Sequence, residues 1–408
     1  MKALVVRKAS LPNLNAAILI LALWLSLSAT SASAQSFFAT LVADPVIGAD
    51  RGSASQMRKL DEPTRFLTFT NTGSDEAGRG VLGFGYALPD AVGPGDQLDF
   101  AAIWAGPSDN HWRELLAGGV AYRFPLQSGA LTGFVNFDYG DVILGTRETL
   151  ALEVRGDRVQ VGAGISGQRD LGQTASLRYG AEFIARRTQS VVLGNPVIDE
   201  NLRMLRASVL YSRGLPLSLQ QRLAASATKG LDTFGASPPG SSFGSTPGAE
   251  TDFLRVSFAA EASVPVSSEW VVNAGLIGQW TADSLPASQR CGFETNAYAR
   301  GFDYAVVTGD RCLGSRVEIA YNFEIPDLKS QRLVYTQGFL GIDGGRFDNV
   351  GNGLTAEGAD TWSSLSVGVR GLRGSFLGEV AATRILDRPE VAATQDRHRL
   401  WVRAAFQF

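Results

Sequence analysis

Histidine is nearly absent from this 408-residue chain, occurring only as His111 and His398. Cysteine occurs twice and no Cys-x-x-Cys is present, so no metal site of familiar ligand spacing is written in the sequence. Long apolar runs are missing as well. The clearest, Ala16 to Leu27, is well short of the ~20 residues that a membrane-spanning helix needs. No later segment reaches that length. The mature chain is therefore not a helical membrane protein, and any passage through a bilayer must be made by a closed barrel. An excess of basic charge is also lacking. The formal net charge is −3, which gives no footing for a nucleic-acid partner.

What is present starts with a leader. Lys2, Arg7 and Lys8 precede the short apolar run, and Ala32-Ser33-Ala34 offers a small-residue cleavage site before Gln35. These are the parts of a secretory signal peptide over residues 1–34, cut near Ala34. The leader carries three basic and no acidic side chains, so its removal leaves 374 residues with a net charge of −6. That length is too great for a small sandwich and suits a large barrel. The 46 glycines argue against helices. The mean hydropathy of +0.02 is neutral, as expected where lipid-facing and lumen-facing residues alternate.

The alternation recurs along the chain. Between Leu131 and Gly140, Leu131, Val135, Phe137 and Tyr139 share one face, and Thr132, Asn136 and Asp138 share the other. From Ala175 to Arg186 an apolar face opposes Arg178, Glu182 and Arg186. In the segment 316–325, Val317, Ile319, Tyr321 and Phe323 oppose Arg316, Glu318 and Asn322. Period two means strands, and charge on one face with bulk on the other suits a wet lumen and a lipid wall. Sixteen such strands are predicted, near 64–72, 79–89, 96–105, 112–124, 129–140, 157–167, 172–187, 200–213, 217–229, 251–264, 268–281, 315–325, 332–346, 362–372, 375–386 and 397–408. Short connections with turn residues, such as Gly214-Leu215-Pro216, alternate with long polar or glycine-rich ones, such as Asp232 to Glu250. The expected fold is an all-β transmembrane antiparallel barrel of about 16 strands over residues 64–408, with long loops on one rim. Residues 35–63 are left as a short periplasmic leader, plug or linker.

The last strand carries a further signal. Leu400, Val402, Phe406 and Phe408 share one face, while Arg399, Trp401 and Arg403 share the other. A terminal amphipathic strand ending in Phe looks like the assembly signal of an outer-membrane barrel. It implies barrel assembly machinery and outer-membrane lipid as partners, and the outer membrane as the location.

The longest connection, about Ala282 to Gly314, contains Tyr298-Ala299-Arg300-Gly301-Phe302-Asp303 and then Gly309-Asp310-Arg311. This resembles the transporters of two-partner secretion, the haemolysin secretion/activation family of the ShlB/FhaC/HecB type. In that family a loop with Val-Arg-Gly-Phe/Tyr folds into the lumen, and here Ala299 replaces the Val. The resemblance implies that Arg300, Gly301, Phe302, Gly309 and Asp310 form a lumenal motif. It also implies that Arg300 meets an Asp on the next-but-one strand. The matching residue is Asp343, in Phe339-Leu340-Gly341-Ile342-Asp343-Gly344-Gly345, although the aromatic stands four residues before it rather than two. Asn71-Thr72-Gly73, Pro94-Gly95-Asp96-Gln97-Leu98 and Tyr122-Arg123-Phe124-Pro125-Leu126 resemble the start of that family's barrel. The two POTRA domains of the family find no counterpart, since Gln35 to Pro63 is below the ~40 residues that usually fold unaided.

Cys291 and Cys312 flank the Arg-Gly-Phe motif. An even pair in an oxidising compartment reads as a disulfide, worth roughly 3 kcal/mol for a loop of this size. Two enzyme-like motifs lack their context. Gly240-Ser241-Ser242-Phe243-Gly244 sits in a loop rather than a strand-to-helix elbow. Gly162-Ala163-Gly164-Ile165-Ser166-Gly167 lies inside an alternating strand. No catalytic site and no cofactor is implied. The expected function, by resemblance, is passage of a secreted exoprotein through the barrel. The alternatives are a passive diffusion channel or a surface interaction barrel. If the last strand is the assembly signal, deletion of Phe408 should lower outer-membrane abundance without lowering export to the periplasm. Val402→Arg should cost ~2–4 kcal/mol if Val402 lies near the bilayer midplane. Fractionation and heat-modifiability read both, and normal levels of the Phe408 deletion would remove this role.

Overall fold

The computed structural model describes residues 63–71, 80–107, 112–126, 131–143, 153–214, 220–293, 298–302, 307–326, 333–354, 357–373, 375–393 and 395–408. The expected leader over 1–34 and the segment 35–62 lie outside the described residues, as does Asp303. Among the described residues eighteen strands follow in order. The first eleven are β1 (Thr64–Thr70), β2 (Gly80–Pro89), β3 (Gln97–Gly106), β4 (Leu115–Leu126), β5 (Leu131–Ile143), β6 (Arg155–Asp170), β7 (Ala175–Val192), β8 (Asn195–Gly214), β9 (Gln220–Leu231), β10 (Leu254–Pro265) and β11 (Trp270–Thr281). The two-residue β12 (Cys291–Gly292) and β13 (Thr308–Gly309) pair only with each other. The last five are β14 (Arg311–Pro326), β15 (Leu333–Asn349), β16 (Gly358–Arg373), β17 (Phe376–Asp387) and β18 (His398–Gln407). Every strand of the wall pairs antiparallel with its neighbours, β11 with β14 and β18 with β1, so sixteen strands close into a barrel. Closure leaves the ladder without an edge.

The alternation in sequence becomes two faces. Leu205, Val209, Leu223, Val317, Ile319, Leu340, Ile342, Val367, Val369, Val380 and Leu400 are exposed on the outside. Water-soluble monomers rarely show so large a contiguous apolar surface, whereas a lipid-facing wall requires one. Towards the short-turn rim, aromatic rings gather in pairs: Tyr122 with Phe124, Trp270 with Tyr321, and Phe406 with Phe408.

Short turns explain one motif. The Asp96 carboxylate accepts the backbone N–H of Gly93 at 2.7 Å and of Val92 at 3.1 Å, and the Tyr122 hydroxyl at 2.7 Å. Desolvation pulls its pKa up, but the Tyr122 hydroxyl and the backbone donors outweigh this and hold it below the ordinary aspartate value. Asp96 thus fastens the β2–β3 turn to β4. Pro125, Pro265 and Pro326, expected in turns, are the penultimate or last residues of β4, β10 and β14, where a missing N–H does least harm.

The wall strands run further toward the long-loop rim than their alternation suggests. The connection expected between 187 and 200 is instead a continued hairpin, with β7 reaching Val192 and β8 starting at Asn195. Its outward residues Arg187, Gln189, Asp199 and Asn201 are polar, so the ladder goes on where the apolar signal stops. Likewise β14 starts at Arg311 rather than near 315, which places Cys312 in the wall and not in the loop. The hairpin turns through Leu193 and Gly194, both at positive φ, +50° and +78°. A side chain such as Leu costs about 1–2 kcal/mol there. Leu193→Asn, giving the Asn-Gly pair that such turns favour, should slow hydrogen exchange at the tip by about tenfold. Unchanged exchange would show that the turn carries no strain.

Candidate functional site

The connection from β11 to β14 enters the barrel. After a single 3-10 turn at Ala287–Gln289, the strand pair β12–β13 gathers its two arms. Cys291 is disulfide-bonded to Cys312, with Cα atoms 6.4 Å apart. The bridge therefore ties the incoming arm to the inner face of β14. Between the cysteines, Phe293, Tyr298, Ala299, Phe302 and Val307 are buried against Ile277 of β11, Phe347 of β15, Trp362 of β16 and Ile385 of β17. Phe293 and Phe302 meet the Trp362 ring at centroid distances of 4.7 and 5.9 Å. The lumen was expected to be wet on this side, yet it holds an apolar core. Missing side chains in the wall make room for it. A Cβ on Gly275 would stand 1.9 Å from the Tyr298 hydroxyl, and one on Gly314 2.3 Å from the Phe293 ring.

The motif forms the tip. The Phe302 N–H donates to the Ala299 carbonyl at 2.9 Å, so Arg300 and Gly301 occupy the middle of a turn. Ala299 has φ +54°, a conformation especially costly for a β-branched residue such as the Val it replaces. Gly301 lies so close to the wall that a Cβ would sit 2.8 Å from Cγ1 of Ile385. The turn presents Arg300, which is 4% exposed. Its Nη1 donates to Glu318 Oε2 of β14 at 3.2 Å, and its Nη2 lies 3.6 Å from Glu379 Oε1 of β17. The guanidinium also stands over Phe339 at 5.1 Å and Trp401 at 5.4 Å from the ring centroids.

Those carboxylates are themselves held. Glu318 Oε1 accepts Nη2 of Arg370 and Nδ2 of Asn273, and Asn273 Oδ1 accepts the Ser263 hydroxyl. Arg370 also donates from Nε to Gln337. Strand register explains the grouping. Asn322, Gln337, Arg370, Glu379, Arg403 and Thr70 stand opposite one another in turn across β14, β15, β16, β17, β18 and β1. A polar row thus runs around this side of the bore below the loop tip.

The expected partner of Arg300 differs from the one observed. Asp343 is lumenal and buried, as its phase requires, but it forms no ion pair with Arg300 within 4 Å. It accepts the Ser364 hydroxyl at 2.6 Å and stands in register with Arg316. Its charge reaches both Arg300 and Arg316, and the Ala299 N–H faces it. The anchor is Glu318, on the strand directly after the loop. The reason is geometric: two residues along a strand move a side chain nearly 7 Å, and the tip stops at the level of Glu318. Glu318 was read as lumenal. Glu379 and Trp401, which meet Arg300, and Arg370 and Asn273, which hold Glu318, were missed. Only the register between distant strands assembles them, and one sequence does not contain it.

Gly309 and Asp310 close the motif at the other arm. A Cβ on Gly309 would lie 2.9 Å from that of Phe347. Asp310 accepts the N–H of Leu285 at 3.0 Å and of Val350 at 2.8 Å, and pairs with Arg290 at 3.5 Å. It thereby joins the in-folded loop to the β15–β16 connection. Further across, Leu285 packs with Ile184 of β7, Leu202 and Met204 of β8, and Phe253. Arg186 of β7 donates to the Ser288 carbonyl at 3.0 Å. The loop therefore spans the bore, from Ile385 of β17 on one side to β7, eight strands further round, on the other. On the terminal strand, Leu400, Phe406 and Phe408 are exposed, while Trp401 is fully enclosed. Val402 shares their outward phase. Among the described residues, no group of His, Cys, Asp and Glu is arranged to hold a metal ion.

A closed barrel, apolar outside and entered by a loop held on buried charges, is a membrane barrel with an in-folded loop. A family model for the haemolysin secretion/activation protein ShlB/FhaC/HecB matches residues 57–371, and the chain belongs to that family. Its fold is similar to CdiB from Escherichia coli, with a TM-score of 0.70 and 17% identity over 86% of this chain and 64% of that one. CdiB from Acinetobacter baumannii gives 0.65 and 14%, over 89% and 64% of the two chains. BamA from Haemophilus ducreyi lacking POTRA domains 1-3 gives 0.58 and 12%, over 94% and 79%. The chain spans slightly less than two thirds of the length of either CdiB structure. A search of curated protein sequences gives no match.

Removing one partner of a buried ion pair costs ~3–5 kcal/mol. Arg300→Ala and Glu318→Gln should each lower the stability of the seated loop by that order. Asp343→Asn should cost less, since both ion pairs of Arg300 survive it. Thermal unfolding and limited proteolysis of the purified barrel compare the three. Equal losses for Asp343→Asn and Glu318→Gln would show that Glu318 is not the main anchor.

Proposed function

We propose that this barrel moves a secreted partner protein across the outer membrane, with the loop around Arg300 as a displaceable plug. The observation that carries the reading is the seating of the tip: Arg300 rests on Glu318 and Glu379 inside a barrel whose family is that of haemolysin secretion/activation proteins. A loop that served only to stiffen the wall would have no need of a buried charge at its end. Withdrawal of the tip exposes charged groups that water solvates well, so the plug is releasable. In this reading the chain loses its leader near Ala34, is inserted by the barrel assembly machinery and presents its apolar face to outer-membrane lipid. Residues 35–63 remain on the periplasmic side as a linker.

A passive diffusion channel makes the opposite demand, because it must conduct with the loop in place. Purified protein in planar bilayers should show little steady conductance. Replacement of residues 293–307 by Asn-Gly should open a persistent pore. In cells, loss of the protein should leave its exoprotein, tested with a large secreted protein encoded beside it, in the periplasm. A steadily open wild-type channel together with unaffected secretion would overturn the transport reading.

A further inference from the structure

Asn71, singled out in the sequence as part of Asn-Thr-Gly, has a role that the plug does not account for. It follows β1, and its whole amide group is turned onto β18. Its Oδ1 accepts the Val402 N–H at 2.8 Å, and its Nδ2 donates to the Leu400 carbonyl at 2.7 Å. Its own N–H donates to the Val402 carbonyl at 3.2 Å. Asn71 thus continues the β1–β18 ladder with its side chain. This is the seam where the first and last strands close the barrel.

One more bond joins that seam to the loop. Arg399 of β18 donates from Nη2 to the Asn71 carbonyl at 3.0 Å, and from Nη1 to the Phe302 carbonyl at 2.5 Å. A single guanidinium therefore spans the end of β1 and the loop tip. The next two inward residues of the same strand serve the same tip. Trp401 lies beneath Arg300, and Arg403 stands in register with Glu379, the second carboxylate of Arg300. Three successive inward positions of the closing strand are committed to the seat of the loop.

We propose that Arg399 and Asn71 form a clasp that couples seating of the loop to closure of the β1–β18 seam. Arg399 acts as a positioning residue. While the tip is in place, the Phe302 carbonyl holds the Arg399 fork at the angle that also grips Asn71. When the tip leaves, the fork loses its Phe302 acceptor, and the Asn71 ladder loses the support that this bond gave the fork. Sites linked in this way affect each other reciprocally, typically by a factor of 5–150. The inference does not depend on what, if anything, passes through the bore.

Hydrogen exchange on the full mature chain in detergent micelles tests it. Replacement of residues 293–307 by Asn-Gly removes the tip and leaves the seam sequence untouched. This should speed exchange of amides in residues 64–71 and 398–408 by about tenfold, toward the lower end for such coupling. Exchange in β4 and β5, far around the wall from the tip, should stay within about twofold, since local openings in separate parts of a structure are independent. In an Arg399→Gln background the seam should already be loosened, and removal of the tip should add little. That non-additivity separates coupling from a merely structural contribution. If Arg399→Gln does not assemble, Asn71→Ala breaks the clasp from the other side and Arg300→Ala unseats the tip. Unchanged seam exchange on removal of the tip would overturn the proposal. So would an undiminished effect in the Arg399→Gln or Asn71→Ala background.

Discussion

A guanidinium enclosed in a barrel sets the terms for everything around it. Arg300 gives up nearly all of its hydration, and a buried charge is tolerated only when it is paired and hydrogen-bonded. Glu318 and Glu379 provide the pairing, and the rings of Phe339 and Trp401 accept what remains of the field. Each of those groups then has needs of its own. Glu318 shares its second oxygen between Arg370 and Asn273, Asn273 turns to Ser263, and Arg370 turns to Gln337. The network reaches from β10 to β18, so seven of the sixteen wall strands are organised around one loop residue.

Much of the wall was legible because a barrel repeats one simple rule. Each of the sixteen segments with two-residue alternation is a strand, and Asp343 faces inward as its phase requires. Phase is a property of a single strand, and a single sequence is enough to read it. Register is a relation between strands. For that reason the opposition of Glu318 with Gly341 and of Arg370 with Glu379 was not legible, and the tip was assigned to Asp343 rather than Glu318. The same limit hid the apolar core of the lumen. Trp362 and Ile385 stand on inward positions and look misplaced until Phe293 and Phe302 are brought against them.

Strand length was the other illegible quantity. Alternation reports only the part of a strand whose two faces meet different solvents. At Arg187, Gln189, Asp199 and Asn201 the outward side chains are polar, and the hydrogen-bonded ladder continues without that signal. The start of β14 was misjudged in the same way, with consequences for the cysteines. Cys312 is a wall residue, so the disulfide fastens the incoming arm to the barrel rather than one part of the loop to another.

Two kinds of contact hold the plug, and they differ in what they resist. The core around Trp362 keeps its rings out of water, and removing them exposes apolar surface with nothing gained in return. The ionic seat behaves differently. Its charges were costly to desolvate, and water repays most of that cost once the tip withdraws. Such a seat adds little to net stability, yet it fixes position sharply, because a displaced Arg300 with no water at hand would be a buried charge parted from both of its carboxylates. The apolar core therefore sets how firmly the loop stays, and the charged tip sets where it stays. A loop held only by the first would be hard to move, and one held only by the second would be loosely kept. The combination suits the displaceable plug proposed above.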